Sequence, residues 1–359
     1  MAQPGSVSKI PRIPRKRGGR PWQESRRRLI RRGAGSDAVA AMKILFITHT
    51  RIGDAVLSSG LLSHLVRRYP EARVTLVCGA IPAPLFAATP GVSRLIPLIK
   101  QSFKRHWLRL WSETVGSYWD LVVDLRDSAV SRAVLAGERR ILGRAREPLH
   151  RVRHLGHLLD LEPPPAPRLW LPEAARARAR ALLPEGGPVL ALGASANWPG
   201  KAWPAARFAE LARRLTAADG ILPEARVAVL GGPGERDAAG PLIASIPEAR
   251  CLDLVGGVDL ATAAACLARA TLFVGNDSGL MHIAAAMDIS TLGLFGPSPE
   301  ALYAPWGENA ASVRGRRTYE EIAADPAFDP SVDGPWMEDL DVDAVEAAAT
   351  ALWRRTVEA

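Results

Sequence analysis

Asp277, Ser278, Gly279 and His282 sit in a short polar turn between an apolar, β-prone run (Thr271 to Val274) and a small-residue, helix-prone run from Leu280. A strand–turn–helix unit leaves the first N–H groups of its helix without acceptors and aims them past the sheet edge, where an anion can bind. Ser278 adds a hydroxyl suited to phosphate, and Asp277 a carboxylate suited to sugar hydroxyls. His282 alone would more commonly be a core histidine, but at i+4 from Ser278 it can share a helix face toward the anion. The combination reads as a sugar-nucleotide site.

Three further turns carry usable chemistry. In Thr48-His49-Thr50-Arg51-Ile52-Gly53-Asp54, Asp54 is either an N-cap, the commoner role, or a carboxylate at the sheet's carboxyl edge placed to accept a proton. His49 and Arg51 border the same turn. The loop from Leu192 to Pro204 holds Ser195 and, inside a Trp/Pro frame, Lys201, which suits a diphosphate counter-charge better than a solvated cation. Leu230-Gly231-Gly232-Pro233-Gly234-Glu235 is a glycine-rich turn that lacks both the dinucleotide G-x-G-x-x-G spacing and the Lys-Ser/Thr of a P-loop. Glu235 there either caps a helix or grips ribose hydroxyls.

Other clusters read as structural. His150, His154 and His157 have helical spacing, but Arg144, Arg146, Arg151 and Arg153 crowd them and oppose metal binding, so a basic solvated face is expected. Asp339, Asp341 and Asp343 precede a helical run and suit its N-terminus. Cys78, Cys251 and Cys266 lie in apolar surroundings without metal-type spacing and read as reduced core thiols. No metal site is expected.

The elements that must position these turns alternate. Strands are expected at Lys43–Thr48, Arg73–Cys78, Arg94–Leu98, Leu121–Val123, Val189–Leu192, Arg226–Leu230, Thr271–Val274 and Thr291–Phe295. Helices are expected at Asp54–Arg68, Ala205–Leu215, Glu235–Ala244, Leu260–Ala268, from Leu280, and at Ala344–Arg354, with an amphipathic stretch at Trp107–Val115. Such alternation implies α/β domains with parallel sheets covered on both faces, whose ligands bind beyond the carboxyl ends of the strands. Glu162-Pro163-Pro164-Pro165-Ala166-Pro167 fits neither helix nor central strand. The expected organisation is therefore a leader at 1–41, a Rossmann-like domain at 42–162, a linker at 163–168, a second Rossmann-like domain at 169–340 and a closing helix at 341–359.

With 359 residues and 48% hydrophobic content, the chain suits two cores and has no run long enough for a membrane span. The net charge of +9 resides entirely in residues 1–41, whose 11 basic and 2 acidic residues leave 35 of each sign in the remainder. This Arg-, Pro- and Gly-rich leader is expected to be disordered. It is either a genuine tail able to hold anionic lipid or nucleic acid, or an addition from an upstream start, since Met42 opens the first strand.

The chain resembles the heptosyltransferase family, glycosyltransferase family 9. The resemblance rests on Met42-Lys43-Ile44-Leu45-Phe46-Ile47 running into Thr50–Asp54, on Lys201-Ala202-Trp203-Pro204 with Arg207-Phe208-Ala209, on Leu230–Glu235, and above all on Gly275–Ala286. It implies a GT-B fold of two Rossmann-like domains facing across a cleft, with acceptor on the first and an ADP-heptose-like donor on the second. It also implies inverting transfer without a metal or other cofactor. Asp54 then matches the general base, Lys201 the donor-phosphate contact and Glu235 the acid near the ribose. Ser195 approximates a hydroxyl of the donor loop, with Ala196 departing from a second one, and Asp277, Ser278, Gly279 and His282 match the donor signature. The family's last helix crosses back onto the first domain. The implied partners are a nucleotide sugar and a lipid-linked glycan acceptor of the lipopolysaccharide core at the inner-membrane surface, with no specific nucleic acid and a cytoplasmic, peripheral location. The alternatives are an enzyme of nucleotide-sugar epimerase type, which needs no acceptor, and a basic-tailed binding protein without chemistry. No heptad or other assembly signal is visible, so oligomeric state stays open.

Overall fold

The computed structural model describes residues 41–145, 147–196, 198–329 and 334–357. The leader up to residue 40 and Arg146 lie outside these. Five strands, β1 (Lys43–Ile47), β2 (Arg73–Gly79), β3 (Val92–Leu98), β4 (Tyr118–Asp124) and β5 (Leu135–Ile141), form a parallel sheet of order β3-β2-β1-β4-β5. Helices α1 (Ile52–Arg68), α2 (Arg105–Thr114) and α3 (Ala129–Ala133) connect them. After α4 (Arg151–His157) and α5 (Glu173–Leu182) comes a second parallel sheet. Its strands are β6 (Val189–Gly193), β7 (Arg226–Val229), β8 (Cys251–Asp253), β9 (Leu272–Asn276), β10 (Ser290–Phe295) and β11 (Ala310–Arg314), in the order β11-β10-β9-β6-β7-β8. With it run α6 (Ala205–Leu215), α7 (Arg236–Ser245), α8 (Leu260–Leu267), α9 (Gly279–Ala286), α10 (Glu300–Tyr303), α11 (Tyr319–Ala323) and α12 (Val342–Val357).

Both sheets reverse strand order beside their first strand, between β1 and β4 and between β6 and β9. In open α/β sheets this is where ligands bind, and here the turns after β1, β6 and β9 carry the residues singled out above. The central strands are continuous apolar runs because helices cover both faces: Ile44, Leu45, Phe46 and Ile47 are all buried, as are Leu190, Leu192, Phe273 and Val274. Each such side chain contributes roughly 1.5–3 kcal/mol relative to exposure.

One apolar cluster runs from β1, α1 and β2 into α5, α8 and α9, so the two sheets share a core. Within it α1 packs on α9. A β-carbon on Gly279 would stand 2.7 Å from Ile52, and one on Gly53 2.8 Å from the His282 ring, so glycine at both positions lets the two helix starts approach this closely.

The proline-rich segment is seated rather than free. Pro164 and Pro167 are buried, the Arg168 N–H donates to Ser59 Oγ at 2.8 Å, and a β-carbon on Gly60 would land on the carbonyl oxygens of Pro165 and Ala166. Gly60→Ala is expected to lower stability by about 1–3 kcal/mol through this overpacking. A chemical-denaturation midpoint equal to the wild type's would contradict the seat.

The closing helix departs from expectation. Its buried face, Val345, Ala349 and Leu352, joins the core of the second sheet, and it packs on α6, β10 and β11. Arg214 ties it down through Asp343 at 2.6 Å and Glu346 at 2.9 Å. These interactions hold it to the second domain, not the first. Asp341 does cap it, accepting from the Ala344 N–H at 2.8 Å. The three cysteines are free thiols, and burial pushes Cys78 up to about 12 and Cys266 up to about 11.

Candidate active site

The α1–α9 contact brings the Asp54 turn and the Asp277–Gly279 turn together. Asp54 is the third residue of α1, not its N-cap: Arg51 occupies that position and makes no side-chain cap bond. The Asp54 carboxylate has no hydrogen-bond or ion-pair partner among the described residues, although His49, His282 and Tyr303 feel its charge.

Across from it, Ser278 is the N-cap of α9 without a side-chain cap bond. Its Oγ is buried and unpartnered, as is Nδ1 of His282. The first N–H groups of α9 have no acceptor inside the helix. Asp277 is buried and receives the Lys201 ammonium at 2.6 Å. Lys201 is framed as expected, its N–H donating to the Trp198 carbonyl at 3.0 Å, while the Trp203 N–H donates to Asn276 Oδ1 at 3.0 Å. Asn276 also donates through Nδ2 to the Ala194 carbonyl at 2.8 Å, joining the β6 and β9 turns. Ser195 donates to Glu235 Oε2 at 2.6 Å, and the same oxygen accepts the Gly232 N–H at 2.6 Å. One Glu235 oxygen thus braces the glycine-rich turn, and Oε1 has no partner among the described residues.

Two imidazoles here are neutral at pH 7. Burial pushes His282 down to about 4, against the opposing pull of Asp277 and Asp54. Burial likewise pushes His49 down to about 4, and Arg151 and Arg126 add to that against Asp54. Arg151 donates to His49 Nε2 at 2.9 Å, which leaves the proton on Nδ1. The ordinary histidine value of 6.5 lies above both, so the unfolded chain binds more protons between pH 6.5 and 4. Stability from His282 is therefore complete above that window and lost as pH falls through it, by about 2 kcal/mol at pH 5. His282→Asn should flatten the fall in melting temperature between pH 7 and pH 5. An unaltered slope would show that the ring titrates normally.

Sequence reasoning missed several neighbours. The 150–157 stretch is amphipathic: Val152, Leu155 and Gly156 are buried, Arg153 and His157 are exposed as expected, and His150 and His154 are half-buried. His150 accepts the Val152 N–H at Nδ1 (3.2 Å), and its Nε2 donates to the Ala304 carbonyl at 2.9 Å. Its ring also stacks on Trp306 at 4.6 Å, with Arg153 over the same indole. Tyr303, at the end of α10, has its hydroxyl pushed up by burial and then by Asp54. No local signal marks these residues, since each depends on a partner more than a hundred positions away. Among the described residues no group of three or more His, Cys, Asp or Glu could hold a metal ion.

Comparison with known proteins decides the family. The model of glycosyltransferase family 9 (heptosyltransferase) matches residues 110–325. The chain belongs to that family. It is 26% identical over 319 residues to lipopolysaccharide heptosyltransferase 2 of Salmonella typhimurium, covering 78% of this chain and 90% of that protein. Its fold is similar to that of E. coli ADP-heptose lipopolysaccharide heptosyltransferase II, with a TM-score of 0.67, 24% identity and coverage of 89% and 100% of the two chains. It is similar as well to a family 9 glycosyltransferase of Veillonella parvula, with a TM-score of 0.74, 18% identity and coverage of 89% and 99%. The family 9 member described here is thus a glycosyltransferase with the GT-B architecture of two parallel-sheet domains.

Proposed function

We propose that this chain transfers heptose from ADP-heptose to a lipid-linked acceptor of the lipopolysaccharide core, with inversion and without a metal ion. The observation that carries this reading is the unpartnered Asp54 carboxylate standing opposite the start of α9, where the Ser278 hydroxyl is unpartnered and Lys201 is held by Asp277.

In this reading residues 42–162 hold the acceptor and 169–340 the donor, with 163–168 between them. The donor diphosphate rests on the N–H groups of Ser278 and Gly279 and on Lys201. Glu235, braced by Ser195, offers its free oxygen to the ribose, and Asp277 and His282 border the sugar. The acceptor oxygen attacks the anomeric carbon from the face opposite the diphosphate. Its bond to that carbon forms as the carbon–phosphate oxygen bond breaks through an oxocarbenium-like state, and the hydroxyl proton passes to Asp54. The departing ADP keeps the bonding pair, whose charge Lys201 and the α9 amides stabilise. Location at the cytoplasmic face of the inner membrane follows from such an acceptor. Among the described residues no helix is long and apolar enough to cross a membrane.

The test incubates the full chain with ADP-heptose and a core acceptor, with and without EDTA, and assigns the anomeric configuration of the product by NMR. Transfer with inversion in EDTA is expected. A retained configuration would remove the single-displacement route, loss of activity in EDTA would remove metal independence, and conversion of ADP-heptose without acceptor would point to epimerase-type chemistry instead.

A further inference from the structure

Helix α2 is clothed the wrong way round for a helix that only covers a sheet. Of its ten residues only Leu110 and Thr114 are buried, while Leu108 is 66% and Trp111 38% exposed. Just before it, Phe103 is 97% exposed and held at φ 53°, a left-handed backbone that aromatic residues rarely adopt. Ile99 is 60% exposed, and Leu135, 68% exposed, follows closely on Ala133, whose carbonyl accepts the Trp111 indole N–H at 3.4 Å. Large apolar side chains are thus exposed along residues 99–111 and at Leu135 of the first domain.

The charge within residues 99–111 has one sign. In sequence, residues 99–111 contain Lys100, Lys104, Arg105 and Arg109 and no acid. Lys100 and Arg105 are exposed and form no ion pair among the described residues, while Glu113, beyond the segment, is engaged by Arg94 and Arg109. Large exposed apolar groups interspersed with cations along one segment match an anionic lipid surface, where the rings and leucine enter the acyl boundary and the cations meet phosphates.

Position favours the same partner. β3 runs parallel to β1, so the segment that leaves β3 at Leu98 starts from the carboxyl edge that also carries the Asp54 turn. The two are linked directly: Arg126 lies over the Trp107 ring at 5.2 Å and donates to Thr50 Oγ1 at 3.3 Å.

We propose that residues 99–111, through Phe103, Leu108 and Trp111 with Lys100 and Arg105, and with the adjoining Leu135, dock the protein on an anionic bilayer and turn the Asp54 edge toward an acceptor carried in that bilayer. Only the acceptor half of this statement rests on the proposed function.

The test measures co-sedimentation of the full chain with vesicles of phosphatidylcholine containing roughly 30% phosphatidylglycerol. It is run at low salt and at roughly 0.5 M NaCl, where the charge of residues 1–41 is screened. The Phe103→Ser/Leu108→Ser variant should lose at least tenfold in partition at high salt. Brominated lipid should quench tryptophan emission in the wild type and do so less in Trp111→Phe. Partition untouched by the double variant, or emission untouched by brominated lipid, would overturn the proposal. So would a shift of the variant to a smaller oligomer with unchanged vesicle binding, which would assign the patch to a second copy of the chain. Transfer to a water-soluble, deacylated acceptor should be equal in both proteins, so an inactive wild type would count against the proposed function while leaving the vesicle result standing.

Discussion

Asp54→Asn should lower kcat by about 10²–10⁴-fold, the usual contribution of a positioned general base. The substitution keeps the side chain's shape and removes only its capacity to take a proton. Because Asp54 has no hydrogen-bond partner among the described residues, little folded-state structure depends on it. What is lost is the favourable charge in the first turn of α1, worth about 0.3–1 kcal/mol. KM for the donor should stay within about threefold, since the proposed donor contacts lie on the second sheet's turns. The measurement is steady-state ADP release at saturating acceptor alongside the melting temperature. Full turnover in the variant would remove Asp54 from the reaction. A loss confined to KM would make it a binding group.

Lys201→Ala should cost about 10²–10³-fold in kcat, the effect of withdrawing one preorganised charge from a developing anion. A second consequence follows from the structure. Lys201 is the partner of Asp277, whose side chain is only 9% exposed, so its removal leaves an uncompensated buried carboxylate beside the proposed diphosphate site. Donor KM should therefore rise as well. Adding Asp277→Asn to Lys201→Ala should recover most of the rise in KM and little of kcat, a non-additivity expected of groups in contact. Strictly additive effects would show that the two side chains act independently.

The central strands were legible because burial on both faces demands continuous apolar runs, as in Ile44–Ile47 and Leu272–Val274. Of the four edge strands only β3 was, while β5, β8 and β11 were not. β5 alternates in burial through Leu135–Ile141, β8 has three residues, and no residue of β11 is fully buried. A strand with one neighbour needs little apolar surface and leaves little trace. The turns of the candidate site were legible as well, since glycine, hydroxyl and carboxylate at a strand end have few other uses. Their pairings were not, because Lys201 with Asp277 and His49 with Arg151 depend on which strands become neighbours. The closing helix was legible as a helix, but the surface it meets was not, since amphipathicity gives only the buried face.

The seat of the interdomain segment on α1 has a mechanical corollary. Gly60 and Ser59 grip that strap near the middle of the helix, and Asp54 stands about 9 Å nearer its start, at 1.5 Å per residue. A continuous helix transmits strain along its length, so a displacement of the strap at Gly60 would also be felt at Asp54. The start of the same helix packs on α9, so one rigid element joins the interdomain segment to the candidate site.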